Sequence, residues 1–304
     1  MTQELAGRVA IVTGAGRNIG RGIALALADG GAAVVVNARA NLKEAEAVAS
    51  EIARTGGKAL AVTADVADAD AVNKMVTAAA EKFGRVDILV NNAAVRVEQA
   101  FEAMTLAQWR AVTAVILDGA FNCVKACLPH FKQSGSGVIV NIGGLSAHTG
   151  AARRPHVIAA KAGLIGLTRA LAHEFAADKN RVNTVTPGLM ARPRPAGAPV
   201  PAHHAFVHAL AGRLGEPTDI AAAVRFLCSP GASFITGQNI QVNGGAFLGG
   251  LFRTSNLGCH ARTTGHPVIT RFTMNEHSGR WLLDSGSRSL RSLVRNDGER
   301  SGEG

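Results

Sequence analysis

Val9-Ala10-Ile11-Val12-Thr13-Gly14-Ala15-Gly16-Arg17-Asn18-Ile19-Gly20 is the stretch that decides the fold. Val9–Thr13 is a short β-branched, apolar run, and continuous apolar runs suit strands covered on both faces. Gly14, Gly16 and Gly20 then mark a tight turn, and the Ala/Leu-rich Ile19–Asp29 behind it reads as a helix. Glycines at such a turn let the backbone approach a pyrophosphate, and the helix N-terminus offers free N–H groups with partial positive charge. Any tight strand-to-helix turn favours glycine. Here strand, turn and helix agree, so the stretch points to binding of a dinucleotide phosphate.

Outward from this turn the same alternation repeats. Ala33–Asn37, Ala59–Thr63, Ile88–Asn91, Gly137–Ile142, Arg181–Thr186 and Asn239–Val242 read as further buried strands. Leu42–Thr55, Ala69–Phe83, Leu106–Phe131, Pro155–Ala176 and Thr218–Leu227 read as helices. Strand–helix alternation of this kind predicts an α/β fold, a Rossmann-type doubly wound parallel sheet in one domain over residues 1–250. Such sheets bind ligands beyond the carboxyl ends of their strands. Past Gly250 the composition changes: every lysine lies before this point, and the basic residues from Arg253 to Arg300 are all arginine among Ser, Gly and Thr. Residues 251–304 are therefore expected to form an irregular, weakly ordered basic extension, with partner or nucleic-acid binding as the functional alternative for it.

The chain has 304 residues, 47% hydrophobic and 18% charged, which excludes disorder throughout. No apolar run approaches the roughly 20 residues of a membrane span, and Met1–Gly7 lacks the basic start of a signal peptide, so a cytoplasmic protein without a membrane partner is expected. Cys123, Cys127, Cys228 and Cys259 form no CxxC pair, which argues against a zinc site or a disulfide framework. His204 and His208 have zinc-ligand spacing, but no acidic or Cys partner accompanies them, so no metal is expected. The formal charge of +10 raises nucleic acid as a partner. No Lys/Arg-dense run interleaved with aromatics supports it, and none is expected.

These residues resemble the short-chain dehydrogenase/reductase superfamily, in the branch that includes acyl-carrier-protein ketoreductases. The family's Thr-Gly-x-x-x-Gly-x-Gly turn is matched at Thr13, Gly14 and Gly20, with Asn18 at the middle glycine. Asn is the residue best able to replace Gly in a left-handed backbone. Asp65-Val66, Asn91-Asn92-Ala93-Ala94, Asn183, Pro187-Gly188, Gly212 to Pro217, Thr236-Gly237 and Asn243-Gly244-Gly245 follow in the family's order. The resemblance implies that Gly14, Arg17, Asn18, Ile19 and Gly20 hold the cofactor phosphates, Asp65 and Val66 the adenine, and Asn92 and Ala93 the ribose region. Pro187 and Gly188 belong to the same cofactor set, and Lys161 to the nicotinamide ribose. NAD-type relatives place an acid at the end of the second strand. Ala38 stands there, followed by Arg39, and with Arg17 this favours NADP over NAD.

The family's catalytic groups are Asn, Ser, Tyr and Lys, with Tyr four residues before Lys on one helix face. Lys161 fits the lysine. Val157 stands at the tyrosine position, Gly144 at the serine, Ile116 at the asparagine, and Arg192 at the Thr that often holds the carboxamide. The chain contains no Tyr at all, so none moves in from another element. Ser146 is the remaining candidate for a hydroxyl near the nicotinamide, while His148 and His156 read as rim residues with a proton donor as the alternative. Arg96, Arg153, Arg154, Arg192 and Arg194 make a basic rim that suits a carboxylate, a phosphate or an acyl-thioester carrier. The expectation is an atypical oxidoreductase acting on a small carbonyl or hydroxyl compound, in a homodimer or homotetramer. The alternative is a dinucleotide-binding pseudoenzyme or the partner subunit of an active relative.

Overall fold

Apolar runs bounded by Gly and Asn become strands, as expected, in a computed structural model that describes residues 3–191 and 209–248 and, as backbone, two short strands beyond them. The elements in chain order are β1 (Val9–Val12), α1 (Asn18–Asp29), β2 (Ala33–Ala38), α2 (Leu42–Arg54), β3 (Ala59–Thr63), α3 (Ala69–Phe83) and β4 (Ile88–Asn91). Then come α4 (Leu106–Thr113), α5 (Gly119–Ser134), β5 (Val138–Ile142), α6 (Ser146–Thr149), α7 (Pro155–Glu174), β6 (Arg181–Pro187), α8 (Pro217–Cys228) and β7 (Asn239–Val242). The chain divides into units Met1–Leu251 and Phe252–Gly304. In the second unit Arg271–Met274 (β8) and Trp281–Asp284 (β9) pair antiparallel.

The seven strands of the first unit form one parallel sheet in the order β3-β2-β1-β4-β5-β6-β7. The connections run one way from β1 to β3 and the other way from β4 onward, so the topological switch lies between β1 and β4, where such sheets bind ligands. Both faces are covered. One cluster buries Ile23, Leu27 and Val48 with Val224 against the sheet, and the other buries Met75, Val76, Cys127 and Phe131.

Two features differ from the sequence expectation. The predicted helix Leu106–Phe131 is continuous to Ser134 but opens into one π-helical turn at Ala114–Asp118. Such turns cluster at functional sites, and Ile116 lies in this one. The helix 106–134 is also long and apolar enough to cross a membrane, which corrects the reading that no such stretch exists. Its apolar content has a local cause: Cys123, Val124, Cys127 and Phe131 pack into the core beside the sheet. The second feature, α6, has no sequence signal beyond a Ser followed by Ala and His; a four-residue helix depends on its tertiary contacts.

Candidate functional site

The turn after β1 is built for close approach. Gly14 adopts φ +60° and Asn18 φ +49°, so Asn18 supplies the left-handed backbone that the glycine pattern requires at this position. A Cβ on Gly20 would meet Gly14 O at 2.3 Å and Asn92 Nδ2 at 2.5 Å, and only glycine fits. Ile19 is buried behind the turn, whereas Arg17 and Asn18 are exposed. The first amides of α1 have no preceding carbonyls within the helix and face this turn as free donors. A pyrophosphate fits such a cradle.

What holds the cradle was only partly legible. Asn92 donates from Nδ2 to Thr13 O at 2.9 Å and Gly14 O at 3.0 Å, and Thr13 Oγ1 accepts from the amides of Asn92 and Ala93, each at 3.0 Å. Asn92 and Ala93 thus lash the turn to the end of β4. Asn37, which the sequence reading passed over, does the same from β2: its Oδ1 accepts from Gly14 N at 3.2 Å and its carbonyl from Ala15 N at 2.7 Å. Its side chain also donates to Ala64 O at 3.0 Å. The available signal was a lone amide ending an otherwise aliphatic strand, since buried polar groups are kept only with partners.

On the ribose side Arg17 and Arg39 are both exposed, and neither forms an ion pair among the described residues. A carboxylate is also present: a Cβ on Gly16 would lie 3.3 Å from Glu44 Oε2. The sequence reading looked for an acid only at the end of β2 and missed this one on α2. Asp65 Oδ1 accepts from Ala67 N at 3.0 Å in a local, exposed turn. Val66 is buried, and its carbonyl accepts from Asn122 Nδ2 at 3.0 Å.

Beyond the ends of β4, β5 and β6 lies a cleft of about 120 Å³, and Ile19, Asn92, Pro187, Gly188, Ser146 and Lys161 all line it. Lys161 is 8% exposed, and its Nζ donates to Ile142 O. Burial, and after it the nearby Arg96 guanidinium, lowers the ammonium pKa to about 7. The helix that carries it is fixed by a buried polar chain: Asn141 Nδ2 donates to Thr168 Oγ1 at 2.9 Å, and Thr168 Oγ1 lies 2.7 Å from Thr184 Oγ1. Gly144 and Val157 stand on the cleft wall beside Lys161. The nearest atom to a Cβ built on Gly144 is Lys161 Cγ at 3.9 Å, which leaves room for a side chain. Val157 and Ile116 are both buried in one apolar cluster with Val112, Ala120, Ala160 and Leu164.

Arg96 and Arg154 line the cleft. Arg153 is exposed, with φ +62° and a carbonyl that accepts from Gln99 N at 2.7 Å. Arg192, Arg194, His203, His204 and His208 lie outside the described residues. The two histidines taken for rim residues are placed otherwise. His148 belongs to a separate hollow with Asn239 and Gln241. His156 is fully buried, with no hydrogen-bond partner on either ring nitrogen. Helix geometry explains the burial: neighbours on a helix point about 100° apart, so Val157 faces the cleft while His156 turns to the interior.

These placements give a pH dependence of stability. Burial lowers the pKa of both His148 and His156 from 6.5. The unfolded chain then binds protons that the fold does not, and stability falls as the pH drops below about 6.5. Lys161 acts the same way higher up: its folded value of about 7 against 10.5 makes stability rise with pH between these limits. Above pH 9 the buried thiols reverse the trend, because burial raises Cys123 and Cys228 to about 12. Denaturant unfolding at pH 8.5 is expected to give about 1 kcal/mol more stability than at pH 7, with the rise removed in Lys161→Met.

The site has relatives. The family of enoyl-(acyl carrier protein) reductases matches residues 14–246. A 3-oxoacyl-(acyl-carrier-protein) reductase of Synechocystis sp. is 40% identical over 245 residues, 80% of this chain and 98% of the relative. A cis-4-hydroxycyclohexanecarboxylate dehydrogenase of Sinomonas cyclohexanicum is 39% identical over 247 residues, 81% of this chain and 98% of that one. Among solved structures, one assigned as a short-chain alcohol dehydrogenase of Sinorhizobium meliloti 1021 superposes with a TM-score of 0.75 at 36% identity, covering 81% of this chain and 98% of that one. The parallel sheet, the glycine turn at its switch point and these matches make the chain an NAD(P)-binding oxidoreductase of the short-chain dehydrogenase/reductase superfamily.

Proposed function

We propose that this protein is an atypical NADP(H)-dependent oxidoreductase interconverting a small anionic carbonyl compound and its alcohol. The observation that carries the reading is the cleft itself, which keeps Lys161 but has Gly144 and Val157 where relatives are expected to have a hydroxyl and a phenol. The nicotinamide, when bound, supplies or takes the hydride. The chain's own part is to hold and orient. Gly14, Arg17, Asn18, Ile19 and Gly20 take the phosphates, Arg17 and Arg39 the 2′-phosphate, and Asp65 and Val66 the adenine. Asn92, Ala93 and Lys161 take the ribose, and Pro187 and Gly188 the nicotinamide side. Arg96 and Arg154 suit a carboxylate, or the thioester of an acidic carrier like those named for the relatives. Val157 has no proton to give, so the proton comes from Ser146 or from water.

A missing positioned acid costs about 10²–10⁴ in rate. The domain is residues 1–250, with 251–304 a basic tail, in a cytoplasmic homodimer or homotetramer. The exposed Leu106 and Phe121 on the long central helix fit a subunit contact. One observation favours a second reading, a non-catalytic dinucleotide-binding subunit: Ile116 and Val157 are packed together as core. NADPH oxidation with 3-oxoacyl thioesters separates the two. The first reading predicts slow turnover above background with NADPH and less with NADH; no turnover at high enzyme concentration supports the second.

A further inference from the structure

His148 sits in a polar cluster whose orientation its own hydrogen bonds fix. Asn239 lies between Thr186 Oγ1, 2.7 Å from its Oδ1, and His148 Nε2, 2.9 Å from its Nδ2. A hydroxyl can donate or accept, so Asn239 adapts to whichever role the ring takes. Gln241 Oε1 accepts from Asn243 Nδ2 at 3.2 Å, which turns Gln241 Nε2 toward the same ring nitrogen, also at 3.2 Å. Asn243 is held in turn: its Oδ1 accepts from Gly245 N at 2.9 Å, and its Nδ2 donates to Phe247 O at 3.0 Å. The Gln241 amide, its orientation fixed through Asn243, is a donor aimed at the ring nitrogen and requires that nitrogen to accept, so the ring proton resides on Nδ1. Phe247 stacks on the ring with centroids 5.0 Å apart. Arg169 and His173 of α7 line the same hollow, whereas β7 and the turn before it present only neutral groups.

The short helix that carries His148 also carries Ser146 and Thr149, both on the cleft wall. At four residues α6 has little stability of its own and needs an external tie. We infer that His148 is a positioning residue whose Nε2 fastens α6, and with it the Ser146–Gly150 wall of the cleft, to the edge strand β7. Protonation would set an N–H against the fixed Gln241 amide donor and break that bond. Burial, with Arg169 second, lowers the ring's pKa, so the tie is in place at neutral pH and released in acid. The consequence for substrate affinity rests on the proposed function; the tie itself does not.

Hydrogen–deuterium exchange of the segment 144–150 tests the tie without any need for turnover, because local protection reports local opening. The wild type, His148→Gln and His148→Phe are compared with one another at pH 8 and along a descending series to the lowest pH at which all three stay folded, so that intrinsic exchange rates cancel. Gln keeps an acceptor that does not titrate, and Phe keeps the stacking without an acceptor. At pH 8 the wild type and His148→Gln are expected to match, with His148→Phe about tenfold faster, the effect of hydrogen bonds lost from a partly buried site. At the acid end of the series the wild type joins the fast variant while His148→Gln stays protected. Equal exchange of the wild type and His148→Gln throughout the series, or full protection of His148→Phe at pH 8, overturns the inference. Where turnover is measurable, KM rises in acid for the wild type alone. If there is no turnover, the proposed function fails while exchange still decides the tie.

Discussion

Gly144→Ser/Val157→Tyr is expected to oxidise NADPH with a 3-oxoacyl thioester at least about 100-fold faster than the parent, the range a positioned general acid contributes. Serine enters open space, since a Cβ on Gly144 comes no closer than 3.9 Å to any neighbour. Residue 157 lies four positions before Lys161 on α7, so the two side chains share a helix face. A phenol there gains from a lysine ammonium beside it, because a neighbouring cation favours the phenolate. Tyr also replaces a packed Val in the cluster with Ile116, and overpacking of this kind costs about 1–3 kcal/mol. Thermal unfolding of the variant is therefore measured first. An unchanged rate in a folded variant that still binds NADPH contradicts this account of the cleft.

Gly20→Ala is expected to weaken NADPH binding at least about 100-fold and to destabilise the fold by about 1–3 kcal/mol. The added Cβ would lie 2.3 Å from Gly14 O and 2.5 Å from Asn92 Nδ2. Both are parts of the cradle, and the carbonyl is backbone that cannot swing aside. Either α1 moves off the turn or the Asn92 lashing to Thr13 and Gly14 breaks, and both outcomes spoil the placement of the amides. Gly166→Ala on α7 is the control. Nothing lies within 4 Å of its added Cβ, and Ala in a helix interior stabilises by roughly 0.5–1 kcal/mol over Gly. Equal NADPH affinity in parent and Gly20→Ala, measured by calorimetry, contradicts the assignment of the turn.

The sheet was legible because its strands are unbroken aliphatic runs. Val34, Val35 and Val36 have no polar alternative, and burial on both faces is the only arrangement that suits them. The glycine turn was legible for a steric reason, which Asn18 at φ +49° illustrates. The parts that escaped the sequence depend on contacts across the fold. Asn37 gains its role from Gly14, 23 positions away, and Glu44 comes to the turn only when α2 packs beside it. His148 looked like a rim residue because its partners Asn239 and Gln241 follow 91 and 93 positions later. His156 adjoins a cleft residue in the sequence yet points away from the cleft. The π-helical turn at Ala114–Asp118 carries no compositional mark, since it differs from α-helix only in which carbonyl each amide meets.

Isothermal titration of NADPH and NADH into the full chain, with Arg39→Ala beside it, tests the central claim most directly. The arginines at 17 and 39 predict that NADPH binds more tightly than NADH, and that Arg39→Ala loses most of this preference while NADH affinity holds. Tighter binding of NADH would mean that Glu44 governs the ribose side, and binding of neither nucleotide would contradict the account of the turn between β1 and α1.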